Sequence, residues 1–117
     1  MNKVTVPINE AWRDGHWHEY SCTVNDRHVS IMFRFVQGHW QAFLNACPHQ
    51  GRRMDFAPDQ FLVGPDGTIV CPAHGAEFRP DNGFCVNGPC RGASLQAVTV
   101  DEHGRSGSLV FGWGLHA

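Results

Sequence analysis

Two short segments limit what this chain can fold into more than any other feature. Residues 47–51 read Cys-Pro-His-Gln-Gly and residues 71–75 read Cys-Pro-Ala-His-Gly. Each follows a run of strand-forming residues. Each opens on a thiol, places a proline next, brings an imidazole two or three positions later and ends on a glycine. A cysteine and a histidine this close together are ordinarily accidental neighbours. Two such pairs at two strand ends, with the same proline and glycine punctuation, point to a shared task. If Cys47, His49, Cys71 and His74 act together, the fold must bring two loop tips face to face although residues 50–70 separate them.

The rest of the sequence offers strands to do this. His18–Val24 alternates, with Tyr20, Cys22 and Val24 on one face, as a half-buried strand does. After a turn at 25–27, residues 29–36 (VSIMFRFV) are rich in β-branched and aromatic side chains. Gln37-Gly38 interrupts the run and 39–44 resumes it, which predicts a hairpin. Residues 61–63 and 68–70 flank the turn formers Pro65, Asp66 and Gly67 and predict a second hairpin. Residues 94–100 and 108–113 predict a third around 101–107. The single candidate for helix is a short piece near 9–12. The expected class is all-β: a small antiparallel sandwich in one domain spanning 1–117, with a ligand-bearing subdomain at about 45–92.

Composition narrows the functions. Hydrophobic residues make up 42% and charged residues 17% of the 117 residues, which suits a packed core. The net charge of −2 supplies no basic face for nucleic acid. No apolar run has the length of a membrane span or the form of a secretory signal, so no membrane association and a cytoplasmic location are expected. In that compartment thiols stay reduced, and the odd count of five cysteines is better explained by metal binding than by a disulfide framework.

Which metal do the pairs suit? Two cysteines and two histidines can hold one zinc ion tetrahedrally. Structural zinc sites, however, tend to bring their cysteines as a close pair. Here the order alternates, and each loop offers one thiolate and one imidazole. That order suits two metals, one taking both cysteines and the other both histidines, with each loop touching both. Zinc stays open as the alternative, in a structural or interaction module without redox chemistry.

The two motifs, with the downstream segment 78–90 (FRPDNGFCVNGPC), its turn glycine Gly83 and its Gly88-Pro89 loop, resemble those of Rieske [2Fe–2S] proteins over about residues 44–100. The resemblance implies the Rieske fold and one [2Fe–2S] cluster per chain. Cys47 and Cys71 would hold the inner iron, His49 and His74 the outer one. Two imidazoles in place of two thiolates leave the cluster less negative and easier to reduce than an all-cysteine cluster. Pro48 and Pro72 would stiffen the loops. Gly51 and Gly75 would leave room for backbone N–H groups near the sulfides. Ala76, Phe78, Gly88 and Pro89 would line the cluster.

Respiratory members of the family carry a disulfide between the ligand loops and two hydroxyl donors near the cluster. The corresponding positions here are Arg52 and Ala73 for the disulfide, Ala76 for the serine and Phe78 for the tyrosine. Donors to cluster sulfur favour the reduced state, so their absence predicts a potential near the low end of the Rieske range, about −150 mV.

The role implied is a soluble one-electron carrier, a ferredoxin passing electrons from a flavin-dependent reductase to a terminal oxygenase or other oxidoreductase and transforming no substrate itself. A tightly bound small subunit of a larger redox enzyme is the alternative. Remaining features have plainer readings. His16 and His18, within HWHE, are expected on one exposed strand face. Cys22 reads as a small buried hydrophobe. Cys85 and Cys90 read as free thiols near the cluster loop, with a local bridge as the alternative. Arg52 and Arg53 read as solvated loop charges or part of a docking rim.

Overall fold

The computed structural model describes residues 2–103 and 107–114. The described residues form eleven strands and no helix: β1 (Asn2–Pro7), β2 (His18–Val24), β3 (Arg27–Val36), β4 (His39–Leu44), β5 (Asp55–Ala57), β6 (Gln60–Val63), β7 (Ile69–Val70), β8 (Glu77–Phe78), β9 (Cys85–Asn87), β10 (Thr99–His103) and β11 (Ser108–Trp113). They pair into three antiparallel sheets, ordered β1-β11-β10, β2-β3-β4 and β5-β6-β7-β8-β9. The all-β expectation holds.

The β2-β3-β4 sheet is the middle layer. In β3 the consecutive residues Ile31, Met32 and Phe33 are all buried. Side chains alternate across a strand, so Ile31 and Phe33 face one side and Met32 the other. The register pairs Ile31 with Leu44 and Phe33 with Ala42 on the first side, and Met32 with Phe43 on the second. Ile31, Phe33, Ala42 and Leu44 pack with Val6, Val98, Leu109, Phe111 and Trp113 of the β1-β11-β10 side. Met32 and Phe43 pack with Ile69, Phe78, Cys85, Cys47 and Cys71 of the five-stranded side. A strand buried on both faces reads as a continuous apolar run, which is what 29–36 shows.

Two tight turns set this sheet's register. Asn25 and Asp26 join β2 to β3 with φ of 52° and 63°, and Gln37 and Gly38 join β3 to β4 with φ of 50° and 79°. Two-residue loops with both φ positive match the twist of the flanking strands.

Three expectations need correction. Residues 9–12 are a turn and not a helix: the Asn9 carboxamide oxygen accepts the Ala11 N–H at 2.8 Å and the Asn9 carbonyl accepts the Trp12 N–H at 3.0 Å. Asparagine turns the chain on its own side chain, and Trp12 then packs edge-on against Phe33, ring centroids 4.8 Å apart. Residues 94–98 are not a regular strand. They cross between two sheets, with Leu95 N–H bonded to the Gly83 carbonyl, Leu44 N–H to the Gln96 carbonyl and Val98 N–H to the Ala42 carbonyl. The strand proper starts at Thr99. Part of the expected 101–107 turn lies outside the described residues, and β10 runs on to His103. Finally, His18 is buried rather than exposed. It accepts the Arg13 N–H at Nε2 (3.2 Å), so its proton sits on Nδ1, facing Asp59 Oδ2 at 3.3 Å.

Candidate metal centre

The two ligand segments fold into the same loop. In the first, Cys47 N–H donates to the Arg52 carbonyl at 2.7 Å and Gly51 N–H donates back to the Cys47 carbonyl at 2.7 Å. In the second, Cys71 N–H donates to the Ala76 carbonyl at 2.7 Å and Gly75 N–H to the Cys71 carbonyl at 2.9 Å. Each loop thus closes on its cysteine through a bond four residues on and another five residues on. Closing so tightly takes a residue at positive φ, which Gly51 (68°) and Gly75 (74°) supply at no steric cost. The N–H groups of these two glycines are committed to the cysteine carbonyls.

Thiols and imidazoles separate by depth. Cys47 and Cys71 are 3% and 1% exposed and belong to the apolar cluster beneath the loops. His49 and His74 are exposed, with ring centroids 5.3 Å apart and planes at 80°. Burial pushes the Cys47 thiol up to about 12. The His49 backbone N–H works against this, and the Cys90 and Cys71 thiols reinforce it. A metal that displaces such a proton holds a thiolate with little competing solvent.

Among the described residues, no three His, Cys, Asp or Glu side chains gather as ligands for a single ion. A two-iron cluster asks each iron to take only two protein ligands. Two buried thiols with two exposed imidazoles fit that division.

Neighbouring chain segments brace the loops. Ala76 and Phe78, which lead out of the second loop into β8, are fully buried. The Gly88-Pro89 turn lies directly on Ala76: a Cβ on Gly88 would sit 2.8 Å from the Ala76 Cα. Gly88 also has φ of 94°, so a side chain there meets both strain and backbone. Gly83 has the same constraint against the Phe43 ring, 2.8 Å from where a Cβ would stand. Pro48, Pro72 and Pro89 are on the surface.

A polar clamp ties the first loop to the middle sheet. Buried Asn45 accepts the Met54 N–H at 2.7 Å and donates to Ser30 (3.1 Å) and Asp55 (3.0 Å). Arg53 grips Asp55 with two bonds of 2.9 and 2.8 Å and reaches Glu19 at 3.3 Å. Burial alone would raise the Asp55 carboxyl; the Arg53 and Asn45 donors outweigh it and hold the group below its usual value. Arg53 is therefore a structural tie, and Arg52 remains exposed. Asp59 repeats the pattern, bonding His18 and the Glu19 N–H (2.8 Å).

One contact had no signal in the sequence. Cys85 and Cys90 form no disulfide, and both are buried. Cys90 Sγ lies 3.4 Å from Cys47 Sγ, although the two are 43 residues apart in the chain.

Comparison with known proteins agrees with this geometry. The sequence model of the Rieske [2Fe-2S] domain matches residues 9–102. A stretch of 58 residues, half of this chain, is 41% identical to the oxygenase component of chloroacetanilide N-alkylformylase from Rhizorhabdus wittichii, and covers 15% of that protein. Among solved structures, the ferredoxin of carbazole 1,9a-dioxygenase from Nocardioides aromaticivorans aligns with a TM-score of 0.69 at 18% identity, over 97% of this chain and 100% of that one. The terminal oxygenase of carbazole 1,9a-dioxygenase from Novosphingobium sp. KA1 aligns with a TM-score of 0.70 at 20% identity, over 98% of this chain and 30% of that one. The chain thus spans the whole of a ferredoxin but a small part of the oxygenase components it resembles. With the family's domain covering most of its length and paired thiol–imidazole loops at its tip, the chain belongs to the Rieske [2Fe-2S] domain family and carries that family's cluster.

Proposed function

We propose that this protein is a one-electron carrier, the ferredoxin component that takes electrons from a flavin-dependent reductase and passes them to a terminal oxygenase or other oxidoreductase, without transforming a substrate of its own. The observation that carries this reading is the separation by depth. Cys47 and Cys71 anchor from the apolar interior, while His49 and His74 stand at the surface, where a partner can approach within electron-transfer distance. When bound, the cluster accepts and releases one electron. The chain's own contribution is to hold its ligands in two braced loops, so that little rearranges when the charge changes. Residues 45–92 act as the cluster-binding subdomain of one domain.

Two comparisons support an oxygenase as the acceptor. One aligned structure is a complex of reduced oxygenase and oxidised ferredoxin of carbazole 1,9a-dioxygenase, matched over 97% of both chains with a TM-score of 0.69. The other is the resemblance to an oxygenase component. That second likeness favours one further reading, in which the chain is a tightly held electron-transfer subunit of a larger redox enzyme. Among the described residues no helix is long and apolar enough to cross a membrane. A cytoplasmic setting suits both readings.

The test is spectroscopic and kinetic. Dithionite-reduced protein should give a Rieske-type EPR spectrum with an average g below that of all-cysteine clusters, and His49→Cys and His74→Cys should each alter or abolish it. A full wild-type spectrum after both changes rejects these ligands. The protein should accept electrons from a flavoprotein reductase and, with that reductase alone, hydroxylate nothing. A turnover of an aromatic compound by that pair rejects the carrier reading.

A further inference from the structure

Cys90 is a buried free thiol outside the two paired Cys-His segments. It is held firmly. Gly88 accepts the Arg91 N–H at its carbonyl (3.2 Å), and Cys90 accepts the Ala93 N–H at its own (2.8 Å), so a tight turn over 88–93 presents the side chain inward. The residue is 4% exposed, within the same apolar cluster as Cys47, Cys71 and Cys85. Its sulfur stands 3.4 Å from that of Cys47, inside the range of a sulfur hydrogen bond.

Between two neutral thiols either sulfur could donate. Cluster binding removes that freedom. As a ligand Cys47 is a thiolate, which carries no proton and only accepts. The bond must then run from Cys90 S–H to Cys47 Sγ. The other acceptor in reach is Cys85, whose own hydrogen points to the Asn87 carbonyl at 3.2 Å. A neutral thiol is the weaker acceptor, and a hydrogen bond to an ionised group is the stronger kind.

We propose that Cys90 is a positioning residue that donates a hydrogen bond to the ligand sulfur of Cys47 and raises the reduction potential of the centre. The effect follows from charge. One added electron makes the ligand sulfurs more negative, so a donor at Cys47 stabilises the reduced form more than the oxidised one. Ala76 and Phe78 place no hydroxyl in the neighbourhood of the second loop. Cys90 supplies a donor by another route, from the Gly88-Pro89 turn onto the first loop. The inference rests on Cys47 being a cluster ligand.

Protein-film voltammetry on the wild type and on Cys90→Ala, Cys90→Val and Cys90→Ser tests it, with the EPR spectrum of each protein recorded first. Alanine and valine differ in size but neither donates; serine donates. Both non-donors should lower the equilibrium constant for reduction about three- to tenfold, which is about 30–60 mV for one electron, while serine stays nearer the wild type. Unchanged potentials in Cys90→Ala and Cys90→Val with intact Rieske spectra overturn the donor role. A shift that follows side-chain size, with serine grouped with alanine, also overturns it. If neither non-donor takes up cluster, the infrared S–H stretching band lost in Cys90→Ser decides. A band shifted to low frequency in the wild-type holoprotein supports the bond, and one at a free-thiol frequency rejects it. A wild type that lacks the Rieske spectrum removes the ligand assignment and this proposal together.

Discussion

The sheets that meet across Phe33 and Phe111 are made of strands five to ten residues long. The sheet that carries the ligand loops is made of strands two to four residues long. In the first region, alternation delivers every second side chain to a core, and the ladders are long enough to hold themselves. In the second, β7 and β8 contribute two residues each, and part of the apolar surface stays out: Phe56, Leu62, Val63, Phe84 and Val86 are all exposed. What holds that region is a set of local devices: paired backbone bonds within each ligand loop, the Gly88-Pro89 turn on Ala76, and the Asn45–Arg53–Asp55 clamp. The difference teaches that ligand placement is assigned to loops braced from several sides, while the long strands supply the platform. It also implies that the cluster, by linking two loops, adds to the stability of the five-stranded region.

That implication leads to the largest expected effect. Cys47→Ala or Cys71→Ala should abolish the cluster's visible absorbance and strip amide hydrogen-exchange protection from β5–β9, while β3, β4 and β11 stay protected. Uniform loss across all three sheets would show that the two regions are one cooperative unit and would break the comparison. Next comes a change on the other side. Phe111 is fully buried, with its ring centroid 5.2 Å from that of Phe33. Phe111→Ala should cost about 3–5 kcal/mol in urea unfolding and leave the reduction potential where it was. A shifted potential would mean that strain in the platform reaches the loops.

Asn45 sits at the seam. Asn45→Ala leaves the buried Met54 N–H without its acceptor, a loss of about 1–3 kcal/mol. Its exchange signature should be confined to 47–55, and equal deprotection of the second loop would show that the clamp serves both loops. Smallest in free energy are changes at the fully buried Ala76 and Phe78. Ala76→Ser and Phe78→Tyr should each raise the potential by tens of millivolts, a fraction of the ~60–130 mV that a hydrogen bond to a charged group bounds. Voltammetry showing no shift in either variant, or a wild-type potential above about +100 mV, would mean that these positions do not face the cluster sulfurs.

The hairpin of β3 and β4 was legible because its signal is local: two apolar runs and a Gln37-Gly38 turn whose positive φ angles suit the strand twist. The strands β5, β8 and β9 were not, since two or three residues hold no periodicity to read. Residues 94–98 carry β-type composition yet bond first to the 83–84 segment and then to β4, and only the packed layers show why. His18 looked like a surface residue of a polar HWHE run. It packs against the rings of Trp12 and Phe33 and bonds Asp59, 41 residues away.

By itself, the sequence determined the two Cys-His segments, their alternating order and the loop chemistry around them, because cysteine, proline, histidine and glycine act within a few residues of one another. It also determined the all-β class, since strand alternation and turn residues are properties of short segments. Only the tertiary structure decided that β3 separates two cores, that Arg53 is a tie rather than a free charge, and that Cys90 lies against Cys47. Each of these depends on which surfaces meet after the chain has crossed from one sheet to another. That is settled by burying apolar area over the whole molecule, and no local spacing records it.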